Sequence, residues 1–189
     1  MFQFKAHARA FLDRAREHLA VFHSTADLGH FFYAALELRF GIEARVTDYL
    51  GAALKSLGRD ATNLNEYVAS KLLRRLAEIE PLYEAPEILR VTSEQTGKSS
   101  AFAYTPVTRE LAGIHGRLGE LLHYKFFLNN PHWYMKQPLG GEPNRSVADF
   151  VPLVEKGIAE LARATSGTLL GHPRFTAIVQ DVLGAGDDG

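Results

Sequence analysis

The stretch Leu28–Leu54, LGHFFYAALELRFGIEARVTDYLGAAL, limits the fold more than any other part of the chain. Phe31, Ala35, Leu38, Ile42, Val46 and Tyr49 recur at steps of three and four, which fits one face of an α-helix and no strand. Phe32, Leu36 and Leu50 make a second apolar row beside the first, so little of the circumference is polar. Such a helix belongs in the middle of a bundle, covered by its neighbours. Charges interrupt it, which argues against a membrane span. Glu37, Arg39, Glu43 and Arg45 are among those charges, and the first three come under suspicion, because a buried charge must be paired and hydrogen-bonded. Arg39 and Glu43 stand four apart and can satisfy each other. Glu37 has Tyr33 and Gly41 as its helical neighbours, so its partner must come from another helix, and Arg117 is the candidate.

The flanking segments repeat the helical pattern. Phe4, Ala8, Phe11, Ala15, Leu19 and Phe22 predict an amphipathic helix from about Phe4 to His23, and Ser24-Thr25-Ala26-Asp27 supplies a turn and cap. Asn63 and Glu66 have capping-box spacing and open a third helix to about Ile79. Leu64, Val68, Leu72, Leu76 and Ile79 are its inward face, Lys71, Arg74 and Arg75 its outward one, and Pro81 ends it. Ile88 to Val107 changes pattern: β-branched and aromatic residues flank a polar, Gly-containing turn, as in a β-hairpin or ordered loop inserted between helices. A fourth helix covers about Thr108 to Leu128, followed by a Pro- and Gly-rich loop. Ser146 with Asp149 caps a fifth, with Val147, Val151, Val154, Ile158 and Leu161 inward. Pro173 opens a short last helix, and the tail 184–189 is expected to be disordered. The expectation is an all-α bundle of five to six helices in a single domain, 1–183, with one small insertion at about 88–107.

The fourth helix carries the unusual chemistry. Gly113, Gly116 and Gly119 recur every third residue, each costing about 1 kcal/mol relative to alanine in a helix. Close helix packing, a kink, or a backbone that meets a ligand would compensate. Arg117, Glu120, His123, Tyr124 and Lys125 crowd the same stretch. Glu120 and His123 also have Glu-x-x-His spacing, which places two metal ligands on one helix face. A di-iron site needs that motif twice, and the chain has it once, so no metal is expected. GKSS, at 97–100, is not a phosphate loop, because Thr92 stands where that loop requires glycine.

ALELRFGIE on the second helix and GRLGELLHY on the fourth resemble the HEPN superfamily (higher eukaryote and prokaryote nucleotide-binding), over about Phe4 to Phe127. The resemblance implies a helical bundle, usually dimeric, of the kind common in toxin–antitoxin and antiviral defence systems. It also implies a metal-independent ribonuclease signature, Arg followed after four to six residues by His. Arg117 and His123 fit that spacing as the catalytic pair, with Glu37, Arg39, Glu120 and Tyr124 in support. Arg16 to His23 and Arg109 to His115 fit it too. Leu118 follows Arg117 where active members often carry a polar residue.

The chemistry of such a pair is direct. A histidine titrating near neutrality moves protons for attack by the RNA 2′-hydroxyl, and an arginine holds charge on the phosphate. Six residues on an ideal helix separate the two side chains by about 120°, so convergence needs a bend or a partner subunit. Lys71, Arg74, Arg75, Lys125, Trp133 and Tyr134 form an aromatic–basic set suited to stacking bases and holding phosphate. A non-catalytic helical dimerisation module is the competing class. The expected partners are a second copy, RNA, and an antitoxin or defence protein, with no cofactor and no membrane. The net charge of −1 gives no global pull toward polyanions, so RNA would need a local patch. The absence of cysteine excludes disulfides and thiolate catalysis, and with no signal-peptide pattern at the start a cytoplasmic location is expected.

Overall fold

In the computed structural model, the described residues are 4–56, 58–59, 68–79, 88–93, 96–103, 107–123 and 145–166. They form α1 (Phe4–Thr25), α2 (Leu28–Ser56), α3 (Ala69–Ile79), β1 (Ile88–Thr92), β2 (Ser99–Ala103), α4 (Arg109–Leu122) and α5 (Arg145–Ala164). The architecture is a helical bundle built round α2, which packs against every other described helix. All six residues of its predicted inner face, Phe31 to Tyr49, are fully buried. No helix among the described residues is long and apolar enough to cross a membrane.

Local chemistry sets the turns. Ala26 takes a left-handed conformation at φ 55°, and its N–H returns to the Phe22 carbonyl at 2.7 Å, closing α1 with a single reverse bond. Asp27 then caps α2: its Oδ1 accepts from the Gly29 N–H at 2.8 Å. The two longest helices therefore lie side by side across a two-residue link. Thr108 caps α4, its hydroxyl accepting from the Leu111 N–H at 3.3 Å.

The insertion is an antiparallel hairpin, with Ile88 opposite Ala103 and Thr92 opposite Ser99. Gly97 turns it at φ 67°, a conformation that favours glycine. Among the described residues the hairpin contacts no helix, so the bundle is held together by helix–helix packing alone.

Several expectations need correction. Val68 is 37% exposed and precedes the first turn of α3, so it is not an inward residue. Helix α4 stops at Leu122, not Leu128, because His123 is already extended at ψ 144° and only its N–H returns to the Glu120 carbonyl. Helix α5 already includes Ser146, so Ser146 is not its cap. The predicted cap at Asn63 and Glu66, together with Leu64, Pro81, the last helix and the tail, lies outside the described residues.

Candidate functional site

Helix α4 has two flanks with opposite character. Leu111, Ile114, His115, Leu118 and Leu121 are buried against the bundle. Arg109, Glu110, Gly113, Gly116, Arg117, Glu120 and His123 are exposed. A Cβ added at Gly113 or Gly116 would meet nothing within 4 Å, so neither glycine serves packing among the described residues. Gly119 is different, since its Cβ would lie 3.0 Å from Arg39 Nη1. The missing side chain there makes room for a guanidinium.

That guanidinium belongs to a polar cluster between α2 and α4. Arg39 Nε donates to Glu43 Oε1 at 3.2 Å, which is the predicted pair. His115 Nε2 lies 2.7 Å from the same carboxylate oxygen, and the imidazole is 4% exposed. With the carboxylate ionised, the Nε2–H donates to it. Burial pushes the Glu43 carboxyl up, but the hydrogen bonds from His115 and Arg39 outweigh it and hold Glu43 below the ordinary range. A buried, hydrogen-bonded imidazole on a charged carboxylate fixes α4 against α2. It cannot reach a bound phosphate.

Glu37 finds Arg14, not Arg117. Arg14 Nη2 lies 2.8 Å from Glu37 Oε2, a close charge contact outside aligned hydrogen-bond geometry. The physical reason is position: Glu37 stands on the α1 side of α2, whereas Arg117 points outward from α4. Spacing along α2 gives no order of burial for its charges. Arg45 is the most deeply buried, at 1% exposure. Its Nε donates to the Ala164 carbonyl at 2.7 Å, and its guanidinium sits 5.3 Å from the Tyr49 ring. Arg9 Nε donates to the Thr165 carbonyl at 2.9 Å. Two cations thus meet the orphan carbonyls at the C-terminus of α5, where the helix dipole favours them.

The three Arg-to-His spacings now separate. His115 is buried on Glu43. Arg16 lies beside Asp13 at 3.5 Å, and His23 beside Glu155 at 3.2 Å. Arg117 and His123 are both exposed, on the last turns of α4. Helix α4 does not bend to bring them together; it ends between them. Lys71, Arg74 and Arg75 are exposed on α3, and Glu120 is exposed on α4. Tyr124, Lys125, Trp133 and Tyr134 lie outside the described residues. Among the described residues no group of three or more His, Asp or Glu side chains could hold a metal ion.

Two further features carried no clear signal in the sequence. His18 and His30 face each other across α1 and α2 with Nδ1 atoms 3.0 Å apart, and Tyr33 stacks on His18. Burial pushes the Asp48 carboxyl up to about 7, against the lowering field of Arg45. Neither a protein-family model, nor a curated protein, nor a solved structure matches this chain.

Proposed function

We propose that the chain is an RNA-acting helical protein of the HEPN type, a metal-independent endoribonuclease that works as a symmetric dimer through the open flank of α4. The observation that carries the reading is the exposure of Arg117 and His123 at one end of α4, whereas the imidazole of the Arg109–His115 spacing is buried. In this reading a second copy packs on the bare backbone at Gly113 and Gly116, and the partner supplies what one helix cannot: an arginine and a histidine facing a common phosphate. Arg117 stabilises charge on the phosphate, and His123 moves the 2′-hydroxyl proton. Lys71 and Arg75, exposed on α3, hold the flanking backbone.

The experiment uses purified full-length protein and a single-stranded RNA in excess chelator. Wild type should leave 2′,3′-cyclic phosphate ends. Arg117→Ala and His123→Ala should each slow cleavage by about 10²-fold or more without changing the melting temperature. The double variant should be no slower than the worse single one, as for groups that act as a unit. Intact RNA after long incubation with folded wild type would leave the second reading, a non-catalytic dimerisation module in a defence system. The end of α4 at Leu122 favours that second reading, because no single helix carries the pair to one point.

A further inference from the structure

His18 on α1 and His30 on α2 bring their Nδ1 atoms within 3.0 Å of each other. Both residues are half-buried, so water reaches the pair. Tyr33, one turn beyond His30, stacks on His18 with ring centroids 5.3 Å apart and limits the swing of that imidazole. Two nitrogen lone pairs cannot face each other so closely unless a cation lies between them, either a proton or a metal ion. Among the described residues neither Nε2 atom makes a hydrogen bond or ion pair, so no second bond fixes the tautomer of either ring. The shared proton is therefore free to move to Nε2 and face solvent, which releases both Nδ1 lone pairs. Arg14, one turn before His18, is engaged by Glu37 at 2.8 Å, so its charge is balanced.

We propose that His18 and His30 clamp one tetragonal divalent cation, copper(II) or nickel(II), across α1 and α2, with water in its other positions. Imidazole is a good donor for both ions. At metal–nitrogen distances of about 2.0–2.1 Å, nitrogens 3.0 Å apart subtend roughly 90–95° at the ion. That is the angle between neighbouring ligands of a square-planar or tetragonal site, whereas a tetrahedral zinc site needs them about 3.3 Å apart. No third His, Asp or Glu among the described residues joins the pair, which also disfavours a closed zinc site of four protein ligands. With ring centroids 5.2 Å apart the nitrogens meet nearly head on. A turn of each ring by roughly 25°, within the broad χ2 range of histidine, aims both lone pairs at one point. Both ligands stand on helices joined by a two-residue link, so the fold has already ordered most of what binding must order. The inference stands apart from the RNA-acting reading, whose chemistry uses no metal.

The test titrates chelator-treated, full-length protein with copper(II), nickel(II) and zinc(II) sulfate in turn, by calorimetry in a non-coordinating buffer. The first equivalent of copper should give an electron paramagnetic resonance spectrum split by two nitrogens. Nickel at saturation should raise the melting temperature, because the two donors stand together only in the folded chain. His18→Gln and His30→Gln should each weaken the first equivalent about tenfold or more and remove the rise in melting temperature. His23→Gln, which removes a histidine outside the pair, should leave the first equivalent and the size of that rise unchanged. If His18→Gln fails to fold by circular dichroism, His30→Gln carries that arm of the test. The proposal is overturned if the first equivalent binds both variants as tightly as wild type, which would place the ion at other histidines or the N-terminal amine. It is equally overturned if neither copper nor nickel binds below about 1 mM, which would leave the pair with a shared proton only. Zinc binding more tightly than nickel would overturn the tetragonal assignment.

Discussion

Gly41 and Gly157 stand in the core of the bundle, whereas Gly113 and Gly116 stand on its outside, and the two pairs do different things. A Cβ at Gly41 would lie 2.6 Å from Leu161 Cδ2, and one at Gly157 would lie 2.6 Å from Leu38 Cδ2. These glycines let α1, α2, α4 and α5 approach closely, and the burial gained offsets their poor helix propensity. Gly113 and Gly116 have no such neighbour. Their cost is uncompensated within the described residues. The charges divide in the same way. Glu37, Glu43 and Arg45 of α2 find partners on α1, α4 and α5, while Arg117 and Glu120 on the outer flank of α4 form no ion pair among the described residues. One region is spent on folding; the other makes no comparable contact among the described residues.

The largest break of that contrast comes from filling the core side. Gly41→Val and Gly157→Val should each lower unfolding free energy by about 3 kcal/mol, read from urea denaturation, because a packed leucine must move. A value near zero would mean that the core at α2–α5 is looser than its burial implies. Next, His115→Ala should cost about 2–3 kcal/mol by leaving the half-buried Glu43 carboxylate with one partner fewer. The Glu43 carboxyl is held low in the fold, so its contribution is present above the ordinary carboxylate range and is lost as pH falls below about 4.5. A stability profile from pH 7 to about pH 3 should therefore drop more steeply for wild type than for Glu43→Gln.

Asp48 should behave with the opposite sign. Its folded pKa of about 7 lies above the unfolded value near 3.9, so the fold takes up a proton and loses stability as pH rises from about 4 through 7. Asp48→Asn should be more stable than wild type by on the order of 2 kcal/mol at pH 8, and equal to it near pH 4. The outer flank gives the smallest effects on stability. Gly113→Ala and Gly116→Ala should each stabilise the fold slightly, by up to about 1 kcal/mol of helix propensity, and raise the melting temperature accordingly. In light scattering the same variants should weaken self-association, since a Cβ would stand in the contact. Stabilisation with unchanged association would remove the dimer from this flank. Ala26→Gly should also stabilise, by up to about 1 kcal/mol, because the left-handed turn after α1 suits glycine better.

Much of the fold could be read from residue order. The inner face of α2, the start of α1, a turn and cap within Ser24–Asp27, a change of structure at Ile88 and the outward basic face of α3 all follow from spacing and turn residues. The helix ends were read less well. Nothing local in LLHYKFFL says stop, yet α4 leaves the helix at His123. The candidate site divides similarly. The Arg39–Glu43 pair was visible because both residues share one helix, four apart. The role of His115 was not, because its carboxylate is 72 positions away.

The sequence by itself determined which surfaces must be covered, since side-chain polarity and a 3.6-residue period act within one helix. It could not determine which charge meets which. Arg45, Glu37 and Arg39 sit within two turns of the same helix, and local spacing distinguishes them poorly. Tertiary packing turned Arg45 to the carbonyl of Ala164, 119 positions away, Glu37 to Arg14 of α1, and Arg39 to the gap left by Gly119. The reason is that a polar group's free energy in a fold depends on the partners and the solvent around it, and those are fixed only when helices remote in sequence come together.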